Sequence, residues 1–380
     1  MRIKRRIVEM MAKKGPAIWV ILIALILSLP VWSAGQRRNQ QKEQQPQQPG
    51  QGQPGFGPQN KSKDEADAFN ALQKEQNPAK KVELAEAFVS KYPDSDFVAY
   101  AQTFRVTSYS QLGKHKESVA AAEQAVDATI KFGEKLAAKA DADAKLSDKD
   151  RENVRKKDKT AVFLDKDSPQ FQEFMNQSEQ RIVALYKSII QSYQMLNDAP
   201  HMMEASKKAL GLKPDDVDLL ATISNVMAER PPTNDQQMTE QMKQAEEYVN
   251  QALTLLPTYL SSPENASWTP AQQADVTSQL HYTLGLIYLR QKRLGSSQAE
   301  FMTALKSKPN DPITYYRLGI AYVQEMKNDQ AMDALGKSVF LKGVSEPNAR
   351  DLLKQLYVSK NKSEQGLEDY IKSAGSKIGQ

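Results

Sequence analysis

Histidines, paired aspartates and cysteines are where a chain of this kind could do chemistry, and here each falls short of a site. The three histidines, His115, His201 and His281, stand far apart, with no His-x3-His pair to grip a metal and no nucleophile elbow for a histidine to serve as base. Asp141 with Asp143, and Asp215 with Asp216, bring two carboxylates together. Both pairs lie on polar segments without the glycine and closing glutamate of a calcium loop, so they read as solvated faces. Cysteine is absent, which excludes disulfides, thiolate ligands, thiol nucleophiles and a lipid-modified cysteine at a mature N-terminus. No phosphate-cradling glycine loop occurs. Catalysis needs a positioned acid, base or nucleophile, and the sequence offers none. A chain that is not an enzyme, with no metal and no cofactor, is expected.

The charge balance narrows the partners. Residues 1–35 carry six basic residues and one acidic residue, which is the whole of the net +5; the remaining 45 basic and 45 acidic residues cancel. A neutral body lacks the basic excess on which phosphate-backbone binding rests, so no nucleic-acid partner is expected. The basic start leads into Ala17–Trp32, an uncharged apolar run of 16 residues that ends at Ser33-Ala34-Gly35. This is the plan of a secretory signal, and the run is shorter than the roughly 20 residues of a free transmembrane helix. Residues 1–35 are expected to be a cleaved signal peptide, with an uncleaved inner-membrane anchor as the alternative. Either reading exports the body to the periplasm or cell envelope, because positive charge stays inside. Residues 36–61, rich in glutamine, proline and glycine, cannot form a core and read as a flexible spacer.

Beyond the spacer the elements read as helix upon helix. Leu284-Gly285-x2-Tyr288 and Leu318-Gly319-x2-Tyr322 are one motif written twice at a spacing of 34 residues. The phase continues: Ser297, Phe301, Ala304 and Pro309 answer to Ala331, Leu335, Ser338 and Gly343. Earlier copies are looser. Phe69, Leu72, Ala85 and Phe88 mark the first; Tyr109, Gly113, Ser118 and Ala122 the second; Tyr186, Tyr193, Met202 and Ala209 the third; Ala245, Val249 and Ala252 the fourth, with extra residues 231–239 in its internal turn.

These motifs resemble the tetratricopeptide repeat family over nearly all of residues 62–378. The resemblance implies an all-α fold of helix-turn-helix repeats stacked in a right-handed superhelix, an α-solenoid. Two repeats are expected in 62–132, a charged insert in 133–182, two repeats in 183–259, a loop insert in 260–277, two repeats in 278–345 and a capping helix pair in 346–378. Leu284, Gly285, Tyr288, Leu318, Gly319 and Tyr322 are the structural motif, with the glycines placed for close helix approach.

The family builds its concave wall from fixed first-helix positions, which here fall on Tyr282, Leu286, Leu289 and Arg290 in the fifth copy and Tyr316, Ile320 and Val323 in the sixth. Members that clamp a terminal carboxylate use lysines and asparagines there; apart from Arg290 this chain has none. The resemblance therefore implies an apolar groove for a partner helix or peptide. The expected function is a non-catalytic adaptor or scaffold of the bacterial cell envelope with protein partners, touching a membrane only through an uncleaved N-terminal segment. A structural subunit of an envelope or outer-membrane assembly machine is the alternative.

Overall fold

The computed structural model describes residues 57–159 and 161–379. The expected leader and most of the spacer lie outside them. Among the described residues there is no strand, and no helix is long and apolar enough to cross a membrane. The helices fall into two compact units, divided between Pro214 and Asp215.

The first unit holds α1 (Lys63–Lys74), α2 (Pro78–Lys91), α3 (Val98–Gln111), α4 (His115–Asp143), α5 (Asp148–Lys157), α6 (Pro169–Met195) and α7 (Ala199–Leu212). The second holds α8 (Val217–Glu229), α9 (Asp235–Leu260), α10 (Pro270–Arg290), α11 (Leu294–Ser307), α12 (Pro312–Gln324), α13 (Asn328–Leu341), α14 (Glu346–Asn361) and α15 (Leu367–Gly375). Within each unit, each helix of a pair packs on its mate, and pairs stack in chain order. The all-α repeat fold is as the sequence motifs imply.

Local chemistry sets the helix ends. Side chains of Ser62, Asn77, Ser168, Asp198, Asp216, Asn234 and Asp311 accept from backbone N–H groups of the first turns they precede. Ser147 with Asp150, and Thr269 with Gln272, form full capping boxes. The turns inside four helix pairs are alike. Gly113, Asn197, Lys292 and Met326 adopt φ of +69°, +56°, +60° and +59°. The next residue's N–H reaches back five positions to a tyrosine carbonyl, of Tyr109, Tyr193, Tyr288 and Tyr322 in turn, each at 2.9 Å.

Inside the pairs, glycine lets the helices touch. A Cβ on Gly285 would meet the Phe301 ring at 2.7 Å, and one on Gly319 would meet Leu335 at 2.7 Å. Ser297 Oγ donates to the Gly285 carbonyl at 2.8 Å, and Ser118 Oγ to that of Val106 at 3.2 Å, tying second helix to first. In the first unit Phe69, Phe88, Phe97, Tyr100 and Phe104 close the core of the opening copies.

Both inserts contain helix. In the charged insert at 133–182, α4 runs unbroken to Asp143, and α6 begins at Pro169 and continues into the third copy. Their extensions enclose a small core of Leu136, Ala140, Leu164 and Phe171, flanked by Phe132, Val162, Phe174 and Met175. Asp143, expected to be solvated, is buried at its centre. Its Oδ2 accepts from the Leu164 N–H at 2.8 Å and from Lys139 Nζ at 2.6 Å, and its carbonyl accepts from Arg151 at 3.0 Å. Asp216 is likewise buried, because it caps α8. The loop expected at 260–277 is largely helix, since α10 starts at Pro270; Trp268 meets Tyr259 edge to face at 5.6 Å. The extra residues at 231–239 mostly lengthen α9 instead of its turn. At the end, α14 and α15 pack on α13 through Leu353, Leu367 and Ile371, and their exposed faces are polar.

Candidate functional site

The motif residues sit where packing requires. Leu284 and Leu318 are buried, and Gly285 and Gly319 make the contacts described above. Tyr288 is half-buried under the Arg293 guanidinium, 4.0 Å from its ring centre, and Tyr322 lies half-buried with its hydroxyl toward Met302.

The expected groove divides. Tyr282, Leu286 and Leu289 are interior residues, 3%, 0% and 7% exposed, and cannot line an apolar groove as the sequence reading had it. The reason is lateral packing: α10 is covered by α11 on one side and by α8 and α12 on others, and the Tyr282 ring lies 5.9 Å from that of Phe301. Arg290, Tyr316, Ile320 and Val323 stay half-buried and reach the surface. The face they leave is cationic as well as apolar.

Its centre is a polar cluster shared by three first helices. Glu229, at the end of α8, accepts from the Tyr282 hydroxyl of α10 through Oε1 and from the Arg317 guanidinium of α12 through Oε2, the latter at 2.9 Å. Arg290, near the end of α10, is near enough to feel the charges of Glu229 and Arg317. Burial pushes the Tyr282 phenol far above its ordinary value, and the Glu229 charge adds to this, so the hydroxyl stays a donor. Burial opposes the Arg317 charge, but Tyr282 and Glu229 outweigh it and hold the group above its usual range. Arg290 is pushed the other way, by burial first and then by Arg317. Among the described residues Arg290 makes no hydrogen bond or ion pair, and its Nε is buried without a partner.

Glu229 and Arg317 were missed in the sequence. The signal was faint but present: Arg317 is the lone charge in the apolar first helix PITYYRLGIAYVQ, and Glu229 is one of two, with Asp218, in VDLLATISNVMAE. The histidines are dispersed as expected. His281 pairs with Glu300 at 2.7 Å, His201 stacks on Tyr193 and pairs with Asp198, and His115 opens α4. Among the described residues no three His, Asp or Glu side chains gather as a metal site.

Comparison with known proteins agrees with the fold. Residues 278–311, the fifth helix pair, match the family model of the tetratricopeptide repeat. No curated protein matches the chain in sequence. Among solved structures, the tetratricopeptide-repeat protein YrrB, described as having an unusual peptide-binding site, is similar at 14% identity, over 73% of this chain and 100% of its own, with a TM-score of 0.41. The C-terminal part of a repeat-containing protein from Cytophaga hutchinsonii is similar at 14% identity, over 83% and 95% respectively, with a TM-score of 0.42. A repeat protein from Parabacteroides merdae shows 12% identity over 82% and 95%, with a TM-score of 0.40. The likeness is one of fold. The fifth helix pair matches the tetratricopeptide repeat and the sixth repeats that sequence in phase, so this part of the chain carries tetratricopeptide repeats, a fold that serves in general to hold protein partners.

Proposed function

We propose that the chain is a non-catalytic scaffold of a bacterial cell envelope that holds a partner polypeptide along the first-helix face of its second unit. One observation carries the reading. On α10 and α12 the side chains Arg290, Tyr316, Ile320 and Val323 are half-buried and keep part of their surface open, Tyr316 also packing against the core of the capping helices, and such mixed aromatic, aliphatic and arginine surfaces are where binding anchors concentrate. A photo-crosslinking residue at Ile320 in the full chain, expressed in its native cell, should capture a discrete partner, while the same residue at exposed Met302 on α11 should not. Equal capture at both positions, or none at Ile320, would refute it.

Export rests on the leader, with its basic start and 16-residue apolar run. An alkaline phosphatase fusion after Asn60 should be active; an inactive fusion beside an active cytoplasmic reporter at the same joint would reverse the localisation. N-terminal sequencing of the mature protein separates a cleaved signal from an anchor.

The insert lobe favours a second reading, a structural subunit of an envelope assembly machine. It carries its own core, and the last turn of α5 presents Arg155, Lys156 and Lys157 to solvent on a helix with no buried residue. Stoichiometric co-purification that is lost on charge reversal of those three residues, and kept when Ile320 is changed to Asp, would put the lobe first.

A further inference from the structure

We propose that Arg290 is the receptor for an acidic side chain within the partner segment held on this face, an inference that rests on the partner-holding reading above. The cluster around it contains two guanidinium groups and one carboxylate. Glu229 is fully engaged, one oxygen on Tyr282 and the other on Arg317, and among the described residues no carboxylate forms a hydrogen bond or ion pair with Arg290. A guanidinium whose buried Nε has no protein acceptor is costly, and the Arg317 charge adds to the cost. A carboxylate from outside relieves both at once, because the planar guanidinium fork takes its two oxygens side by side.

The occupant follows from charge and position. One uncompensated positive charge suits one carboxylate, and the formally neutral body gives no support for a polyanion such as nucleic acid. Arg290 lies on α10, the middle of the three first helices α8, α10 and α12 that share the cluster. A segment lying across them continues to either side of Arg290, so an internal Asp or Glu fits and a chain terminus would leave part of the face bare. Beside the acid, the segment should be apolar, to meet Tyr316, Ile320 and Val323.

The test uses two libraries of random twelve-residue peptides selected on the full chain, one displayed in a loop closed at both ends and one with a free C-terminus. Binders from the closed loop should share an Asp or Glu at one position. Changing that residue to Asn or Gln should weaken binding by about tenfold or more, as for a hydrogen bond to a charged group. In Arg290→Gln the same change should cost nothing, while Arg290→Lys should keep part of the effect. Wild-type melting behaviour in both variants shows that the fold is intact. Closed-loop binders without a shared acid, an undiminished acid effect in Arg290→Gln, or binders from the free-terminus library alone would overturn the assignment. Crosslinking at Ile320 separates the two levels: unchanged capture in Arg290→Gln leaves partner holding in place and removes the role of Arg290, whereas no capture in the wild type removes the reading beneath it.

Discussion

Replacing Gly285 by alanine is a minimal insult with a calculable result. In a helix interior the change is ordinarily favourable by about 1 kcal/mol, because alanine loses less conformational freedom. Here the added methyl would stand 2.7 and 2.8 Å from two ring carbons of Phe301 and 3.1 Å from a third. Phe301 is fully buried and cannot swing aside, so the helices must part. Overpacking of this kind costs about 1 to 3 kcal/mol, and contacts well inside van der Waals distance belong at the upper end. Separation also stretches the 2.8 Å bond from Ser297 Oγ to the Gly285 carbonyl, which is worth about 1 kcal/mol. With about 3 kcal/mol from overpacking and up to about 1 from the stretched bond, less about 1 from the better helix propensity, the net expectation is a loss of about 2 to 3 kcal/mol. Gly295, at the start of the facing helix, is the control: a Cβ there meets nothing within 4 Å, so alanine should be neutral or stabilise by a few tenths of a kcal/mol. Urea unfolding followed by Trp268 fluorescence, with the tryptophans of the leader region replaced, reads both in the same unit. Equal stability of the two variants would mean that the glycine is not there for the ring.

Met326 holds a left-handed backbone at φ +59° with its side chain 84% exposed, so Met326→Gly should raise stability by about 1 kcal/mol in thermal or urea melts. Asp143→Ala leaves the buried Leu164 N–H without an acceptor; a loss of about 1 to 3 kcal/mol confined to the lobe should appear as faster tryptic cleavage at Lys157, Lys159 and Lys166. Burial first, and then Asp127, Glu123 and Glu204, push the Tyr186 phenol up to about 12. The unfolded chain therefore loses that proton first, and stability should fall as pH rises from about 10 to about 12, with a shallower fall in Tyr186→Phe.

The fifth and sixth copies were legible because their demands are local: a glycine opposite a large residue sixteen positions on fixes the helix approach, and 34-residue spacing fixes the stack. The face was legible only in part. Tyr282, Leu286 and Leu289 occupy wall positions by phase, yet their fate is set by what packs laterally on α10, which phase does not encode. Glu229 meets Tyr282 and Arg317 across 53 and 88 residues of chain, a pairing no local pattern announces. The lobe had a visible clue. Phe132, Leu136 and Ala140 at steps of four continue the apolar stripe of α4 straight through the charged sequence, and the density of lysine and aspartate obscured it.

The three-way junction at Glu229 also bears on how this protein takes a load. A row of helix pairs held only by contact with the next yields one pair at a time when drawn out from its ends. Here tension arriving at α12 passes through Arg317 to Glu229 on α8, and tension at α10 reaches the same carboxylate through Tyr282. Copies four, five and six therefore give way in a single step, like plies stitched through. Beyond them α14 and α15 lie outside the stitch and peel first, which makes the C-terminal end the compliant part of the unit and the face around Arg290 the stiff part.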